Sequence, residues 1–364
     1  MSIAADQRLS RARANSPPGD RGDDRAIALW LLGCCLMVLA IVVVGGITRL
    51  TESGLAIMEW APLMGALPPL SEAEWQRVFD LYRSIPQYDA INAGMSLAEF
   101  RSIFWWEWTH RLLGRLTGVV FALPFLWFLI RRRIPKGMTP HLVALFLLGG
   151  LQGVIGWFMV ASGFSQQVSV SQYRLVLHLG LALVIYGYML WLAFGLLRPR
   201  PEPRDPAIAA SLRRRLAALL VLAGLTIVFG GFVAGLDGGF LYNTFPLMNG
   251  RLLPGEFLAT EPAWLDPFES PATAQLIHRW LAVALLLAVA LVWAASRRQA
   301  LPSLARQALH LVALMALAQV ALGIATLLLV VPIPLAAAHQ AGAVILLGLL
   351  LWALHTVRVP KAAP

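Results

Sequence analysis

The chain alternates between long apolar runs and short polar breaks, and the runs predict its architecture. A helix crosses a bilayer with about 20 mostly apolar residues. Eight runs reach that length, at 26–47, 104–130, 140–162, 174–197, 214–236, 272–296, 305–331 and 335–357. The last two are parted only by Val331-Pro332-Ile333-Pro334, where proline removes a backbone donor and clashes with the preceding turn. The N-terminal stretch is polar, and the first apolar run lacks a small-residue cleavage site. It therefore reads as a first span rather than a cleaved signal. The expectation is an all-α integral membrane protein.

The polar breaks predict orientation. Lys and Arg collect on the cytoplasmic side of membrane proteins. Here they cluster before the first span (Arg8, Arg11, Arg13, Arg21, Arg25) and after the second (Arg131, Arg132, Arg133, Lys136). They recur after the fourth (Arg198, Arg200, Arg204, Arg213, Arg214, Arg215), the sixth (Arg297, Arg298, Arg306) and the eighth (Arg358, Lys361). With eight spans these clusters all fall on one face, so both termini are expected in the cytoplasm. The opposite, outer face then carries two long loops, 48–103 and 237–271. Loops of that length usually have a function, here as a lid. Within the first, Ser71 and Glu74 form a capping-box pattern that predicts a short surface helix.

Composition sharpens this picture. The chain is 59% hydrophobic and 13% charged, where soluble domains carry about 25% charge. Its net charge of +10 comes from basic residues dispersed among loops, which argues against a nucleic-acid partner and for a lipid bilayer. The two cysteines, Cys34 and Cys35, are adjacent inside an apolar run, and read as small helix residues rather than a disulfide or metal site.

The pattern also repeats. Val44-Gly45-Gly46 closing the first span, then Ala61-Pro62-Leu63-Met64-Gly65, matches Phe229-Gly230-Gly231 closing the fifth, then Phe245-Pro246-Leu247-Met248-Asn249-Gly250. His110-Arg111 opens the second span and His278-Arg279 the sixth. Gln152-Gly153-Val154-Ile155-Gly156 in the third matches Gln319-Val320-Ala321-Leu322-Gly323 in the seventh. His178 lies early in the fourth and His339 early in the eighth. Each half holds an even number of spans, so the repeats are parallel, related by an axis along the membrane normal. The expected organisation is two pseudo-symmetric four-helix bundles. A cytoplasmic tail, 1–25, precedes a first half, 26–197, and a cytoplasmic linker, 198–213, joins it to a second half, 214–357, and a tail, 358–364.

Four of the seven histidines, His110, His178, His278 and His339, fall in the first two turns of the even-numbered spans, at similar depth near the outer face. Ionisable groups inside a membrane are rare and usually functional, and neutral imidazole is a common metal ligand. Facing helices of a four-helix bundle that each give one histidine can clamp a porphyrin. Zinc is disfavoured because no further ligand accompanies either pair. Arg111 and Arg279 suit the carboxylates of a heme, or else snorkel to the interface. His141, His310 and His355 lie at the cytoplasmic ends and read as interfacial. The halves differ three residues before the first histidine, with Glu107 in one and Gln275 in the other. On a helix, residues i and i+3 share a face, so Glu107 is expected to face the His110 ligand. A carboxylate can carry protons and an amide cannot. The first half is therefore expected to do chemistry and the second to hold an electron-carrying cofactor.

The strings Thr51-Glu52-Ser53-Gly54-Leu55, Glu59-Trp60-Ala61-Pro62, Pro68-Pro69-Leu70 and Trp105-Trp106-Glu107-Trp108-Thr109-His110-Arg111 resemble the heme A synthase family. The resemblance covers about 26–357 and is strongest to the branch shared by mitochondria and alphaproteobacteria. Some other bacterial members carry a cysteine pair in the first outer loop. This chain has none there, so a thiol relay does not carry over. The resemblance implies oxidation of the C8 methyl of heme O to a formyl group, in the bacterial inner membrane. It implies substrate heme on His110, His178 and Arg111, cofactor heme b on His278, His339 and Arg279, and Glu107 as the functional glutamate. Heme O synthase, cytochrome oxidase assembly factors and a second copy of the chain are the candidate partners. If both His110 and His178 ligate the substrate iron, no position is open for dioxygen, so either a ligand leaves during turnover or the oxygen comes from water with Glu107 as base, the second being the preferred reading. The alternatives are a membrane b-type cytochrome serving quinol, which would hold heme permanently at both pairs, and a heme exporter, which the uniformly apolar cytoplasmic halves of the helices disfavour.

Overall fold

A computed structural model describes residues 20–60, 64–161, 169–197 and 205–357. The basic residues at 8, 11, 13, 198, 200, 204, 358 and 361, and the Ala61-Pro62-Leu63 landmark, lie outside the described residues. Among those described, eight helices are long and apolar enough to cross a membrane, and no strand is formed. They are α1 Asp20–Leu50, α2 Leu97–Ile130, α3 Thr139–Ala161, α4 Gln172–Leu197, α5 Pro206–Gly235, α6 Pro271–Ser296, α7 Ser303–Leu328 and α8 Ile333–Thr356. The chain is a multi-pass integral membrane protein. Its outward surface agrees, with Leu123, Leu147, Leu291 and Leu314 each more than 60% exposed, as side chains bathed in lipid are.

Three helices begin earlier than hydropathy indicates, α1, α2 and α5, and in the last two caps rather than apolar runs set the start. α2 starts at Leu97 behind a second capping box, in which Ser96 accepts from the Glu99 N–H and Glu99 returns the bond. α5 starts at Pro206, inside the segment expected as a linker. The Asp205 side chain accepts from the N–H groups of Ala207 and Ile208, and proline at the first helical position gives up no needed donor. The predicted surface helix is present as Glu72–Tyr82, with the Ser71–Glu74 box in place.

Packing follows the repeat. α1 packs on α2 and α4, and α5 packs on α6 and α8. α3 packs on α4, and α7 on α8. The halves meet through α4 against α5 and α8 against α1, two contacts that exchange under a twofold operation, and through α4 against α8. Thus α1, α4, α5 and α8 form the centre. The backbone just past α1 and α5 repeats too: Glu52 and Asp237, at matched positions, both adopt left-handed conformations, with φ 52° and 54°. Cys34 and Cys35 are free and buried in the core of the first half. On the face away from the long loops, Nδ1 of His141 lies 2.6 Å from the Tyr188 hydroxyl, and His310 accepts from Trp293 at 2.7 Å. His355 departs from the interfacial expectation. It is 2% exposed and lies edge-on to Trp191 and Phe194, because α8 is a central helix.

Candidate functional site

Each of the four intramembrane histidines rests on a glycine of a neighbouring helix. A Cβ at Gly45 of α1 would stand 2.7 Å from Cε1 of His110, and one at Gly156 of α3 would stand 3.0 Å from Cε1 of His178. In the second half the distances are 3.0 Å from Gly230 of α5 to His278 and 2.8 Å from Gly323 of α7 to His339. Any side chain at these positions pushes the ring away. The glycine landmarks of the repeat are therefore the backing of the histidines.

A second layer fixes ring orientation. Nδ1 of His278 lies 2.9 Å from the Thr226 carbonyl, a bond that leaves Nε2 for a ligand. Gln319 donates to the His339 carbonyl at 2.7 Å with its Nε2 3.1 Å from Nδ1 of that ring. Gln152 donates to the His178 carbonyl at 3.0 Å, and its Nε2 lies 3.1 Å from Nδ1 and 3.3 Å from Nε2 of that ring. The rings of His278 and His339 have centroids 6.3 Å apart and planes at 88°. An imidazole nitrogen sits about 2 Å from a bound metal, so two rings gripping one ion from opposite sides have centroids roughly 6 Å apart. Among the described residues no group of three or more His, Cys, Asp or Glu side chains converges. A bare ion would thus lack the further protein ligands that zinc takes, and a porphyrin supplies its own. Buried polar atoms without hydrogen bonds gather here: Nδ1 of His110, Oε1 of Gln152 and Gln319, and Nε of Arg279. Native proteins pair most such atoms.

Above the histidines, each half is roofed by a clamp on its long loop. Arg279 donates to the carbonyls of Tyr242 at 2.5 Å and Thr244 at 2.8 Å, and to Oε1 of Gln275 at 3.0 Å. Gln275, 2% exposed, donates to Gly238 O at 2.8 Å and Leu241 O at 2.7 Å. In the first half Arg111 donates to Ile57 O at 2.6 Å and Glu59 O at 3.1 Å, positions matched to Tyr242 and Thr244. Its guanidinium also meets Oε1 of Glu107 at 2.6 Å. Glu107, equally buried, takes the Ile57 N–H on Oε2 at 2.6 Å. The repeat therefore extends into loop backbone that shares little sequence, which is why no residue pattern disclosed it. The carboxylate is turned toward the loop, because the Ile57 N–H and the Nε and Nη2 donors of Arg111 converge on it there. The Glu107/Gln275 difference lies within this clamp: one half caps the site with an acceptor of N–H groups, the other with a donor to carbonyls. The arginines expected to meet heme carboxylates are engaged in the roof.

Residues 28–351 match the family model COX15-CtaA, described as cytochrome oxidase assembly protein. The chain is 53% identical to heme A synthase of Rhodospirillum centenum, over 97% of this chain and 94% of that one. It is 48% identical to heme A synthase of Parvibaculum lavamentivorans, over 94% and 97%, and to that of Nitrosospira multiformis, over 92% and 94%.

Proposed function

The chain belongs to the COX15-CtaA family of cytochrome oxidase assembly proteins and is a heme A synthase; from that premise we propose that its two halves divide the work, the first taking heme O and the second holding heme b. The observation that carries this division is the pair of glycine-backed histidines in each half, capped by a carboxylate in one and an amide in the other.

In this reading His278 and His339 would hold heme b, and Arg279 fixes the loop above them. Heme b supplies reversible one-electron chemistry when bound. His110 and His178 ligate the substrate, and Arg111 fixes the roof above it. Turning the C8 methyl into a formyl group removes four electrons and four protons and adds one water oxygen, which makes the enzyme an oxidoreductase acting on a CH group. Glu107 is a buried carboxylate on the same helix as His110, and in this reading it accepts protons. The Ile57 N–H and the Arg111 guanidinium hold it in one position while it does so.

The long-loop face is the periplasmic side of a bacterial inner membrane and the termini are cytoplasmic, a reading supported by the positions of Lys and Arg. Heme O synthase and oxidase assembly factors are the partners to test for substrate delivery and product removal, along with self-association. The function itself is tested by extracting total heme from cells with and without the gene. Heme O accumulates and heme A disappears on deletion; unchanged heme A refutes the reaction.

A further inference from the structure

The first half contains a gap that the second half fills. α2 and α3 run antiparallel and meet at both ends of their shared length. Toward the face without long loops, Phe125 meets Phe146 with ring centroids 6.3 Å apart. Toward the other, Trp60 bridges the helices, 5.8 Å from the Arg111 guanidinium and 6.5 Å from the Trp157 ring. Between these closures the facing stripes turn to glycine. Gly118 shares the α2 stripe with Arg111 and Phe125, and Gly149, Gly150 and Gly153 share the α3 stripe with Phe146 and Trp157, all at helical spacing. A Cβ on any of these four glycines would meet nothing within 4 Å.

At the matched positions of the second half stand Leu286, Ala316, Leu317 and Val320. Ala316 is buried and Leu286 packs on the core, while Leu317 is 58% exposed, so α6 and α7 close at Leu286 and Ala316 where α2 and α3 part at Gly118 and Gly149. Arg115 lies on the α2 stripe between Arg111 and Gly118, opposite Val283 of the second half. The gap leads inward as well: one turn beyond Gly153 is Gly156, on which His178 rests.

We propose that this window between α2 and α3 takes the isoprenoid tail of heme O, so that the substrate passes sideways from the lipid to His178 while its tail stays between the helices. The inference rests on the assignment of heme O to the first half. The occupant follows from the contrast between halves: the two cofactors share a macrocycle and differ by an apolar tail, and the two bundles share a histidine frame and differ by an apolar gap.

The test fills the window in the full-length protein carrying its heme b. Gly149→Leu and Gly153→Leu, singly and together, add side chains where nothing stands, and an unchanged heme b spectrum reports that folding is intact. Each purified variant is titrated with heme O and with protoheme, which lacks the tail. The expected result is heme O bound at least 10-fold more weakly in the double variant and protoheme bound as by the parent. Equal weakening of both hemes, or of neither, overturns the window. His178→Ala separates this from the assignment of halves. If it abolishes heme O binding while the leucine variants bind normally, only the window falls; if it binds heme O undiminished, the assignment falls and the window with it.

Discussion

At the scale of single residues, the site depends on small groups as much as on ligands. Gly323 and Gly156 do equivalent work in opposite halves, so alanine at each separates the two hemes. Gly323→Ala drives a methyl to 2.8 Å from His339 and is expected to lower heme b content severalfold, read from the reduced-minus-oxidised spectrum. Gly156→Ala leaves heme b in place and weakens heme O. Glu107→Gln tests the carboxylate. Gln275 in the same frame points its amide at two carbonyls, whereas position 107 must accept the Ile57 N–H. The variant is expected to retain heme b and to lose formation of heme A by at least about 100-fold, the usual range for a lost general base. His278→Ala loses heme b itself; a retained b-type spectrum would reverse the assignment of halves. The four histidines and the Glu/Gln contrast were legible in the sequence, because ionisable groups stand out against apolar spans. The direction of Glu107 was not. It is decided by loop backbone, which carries no residue signature.

At the scale of elements, the eight spans were readable to within a few residues wherever hydropathy defines the end. They were misjudged at the start of α1, whose first turn is polar, and at the starts of α2 and α5, where Ser96 and Asp205 cap polar first turns. The loops obey a similar logic. Asp266, fully buried just before α6, accepts from the N–H groups of Leu258 and Thr260, both at 2.9 Å, and from the Thr273 hydroxyl. Burial alone would raise its pKa, but these bonds, those of Thr260 and Thr273 foremost, outweigh it and hold the carboxyl below its ordinary range. A depressed pKa stabilises the fold above the ordinary carboxylate value, and that contribution is lost as pH falls through the folded value. Asp266→Ala is therefore expected to cost about 1–3 kcal/mol at neutral pH and progressively less in acid. Thermal unfolding of the detergent-solubilised protein across pH reads this directly, and a pH-independent loss would assign the effect to packing alone.

At the scale of the whole molecule, the halves are tied near their common axis. Arg49 at the end of α1 pairs with Asp237 after α5 at 2.8 Å, and Gln340, next to His339, donates to the Val42 carbonyl of α1 at 3.1 Å. Gln340 lies so close that a Cβ on Gly46 would stand 1.8 Å from its Oε1. Glu52 joins the charged group. Burial raises its pKa, Arg49 opposes the rise and Asp237 adds to it. A raised value favours the fold below the ordinary carboxylate pKa and is lost as pH climbs through the folded one. Glu52→Gln, which stays neutral, is expected to melt above the parent in alkaline buffer and level with it in acid. A constant gap would place the effect elsewhere. The sequence disclosed the twofold plan through glycines and histidines. It did not disclose the ties, since Gln340 answers to Leu179 and Arg49 to Ala234, pairs with nothing chemical in common.

Because α4 on α5 and α8 on α1 are one contact made twice, the seam is self-complementary. A lone four-helix chain with such a seam closes with another copy of itself, giving two identical heme pockets. Joining the copies end to end releases each pocket from being the mirror of its neighbour. In the proposed division, one then remains a sealed electron store while the other opens its wall to traffic.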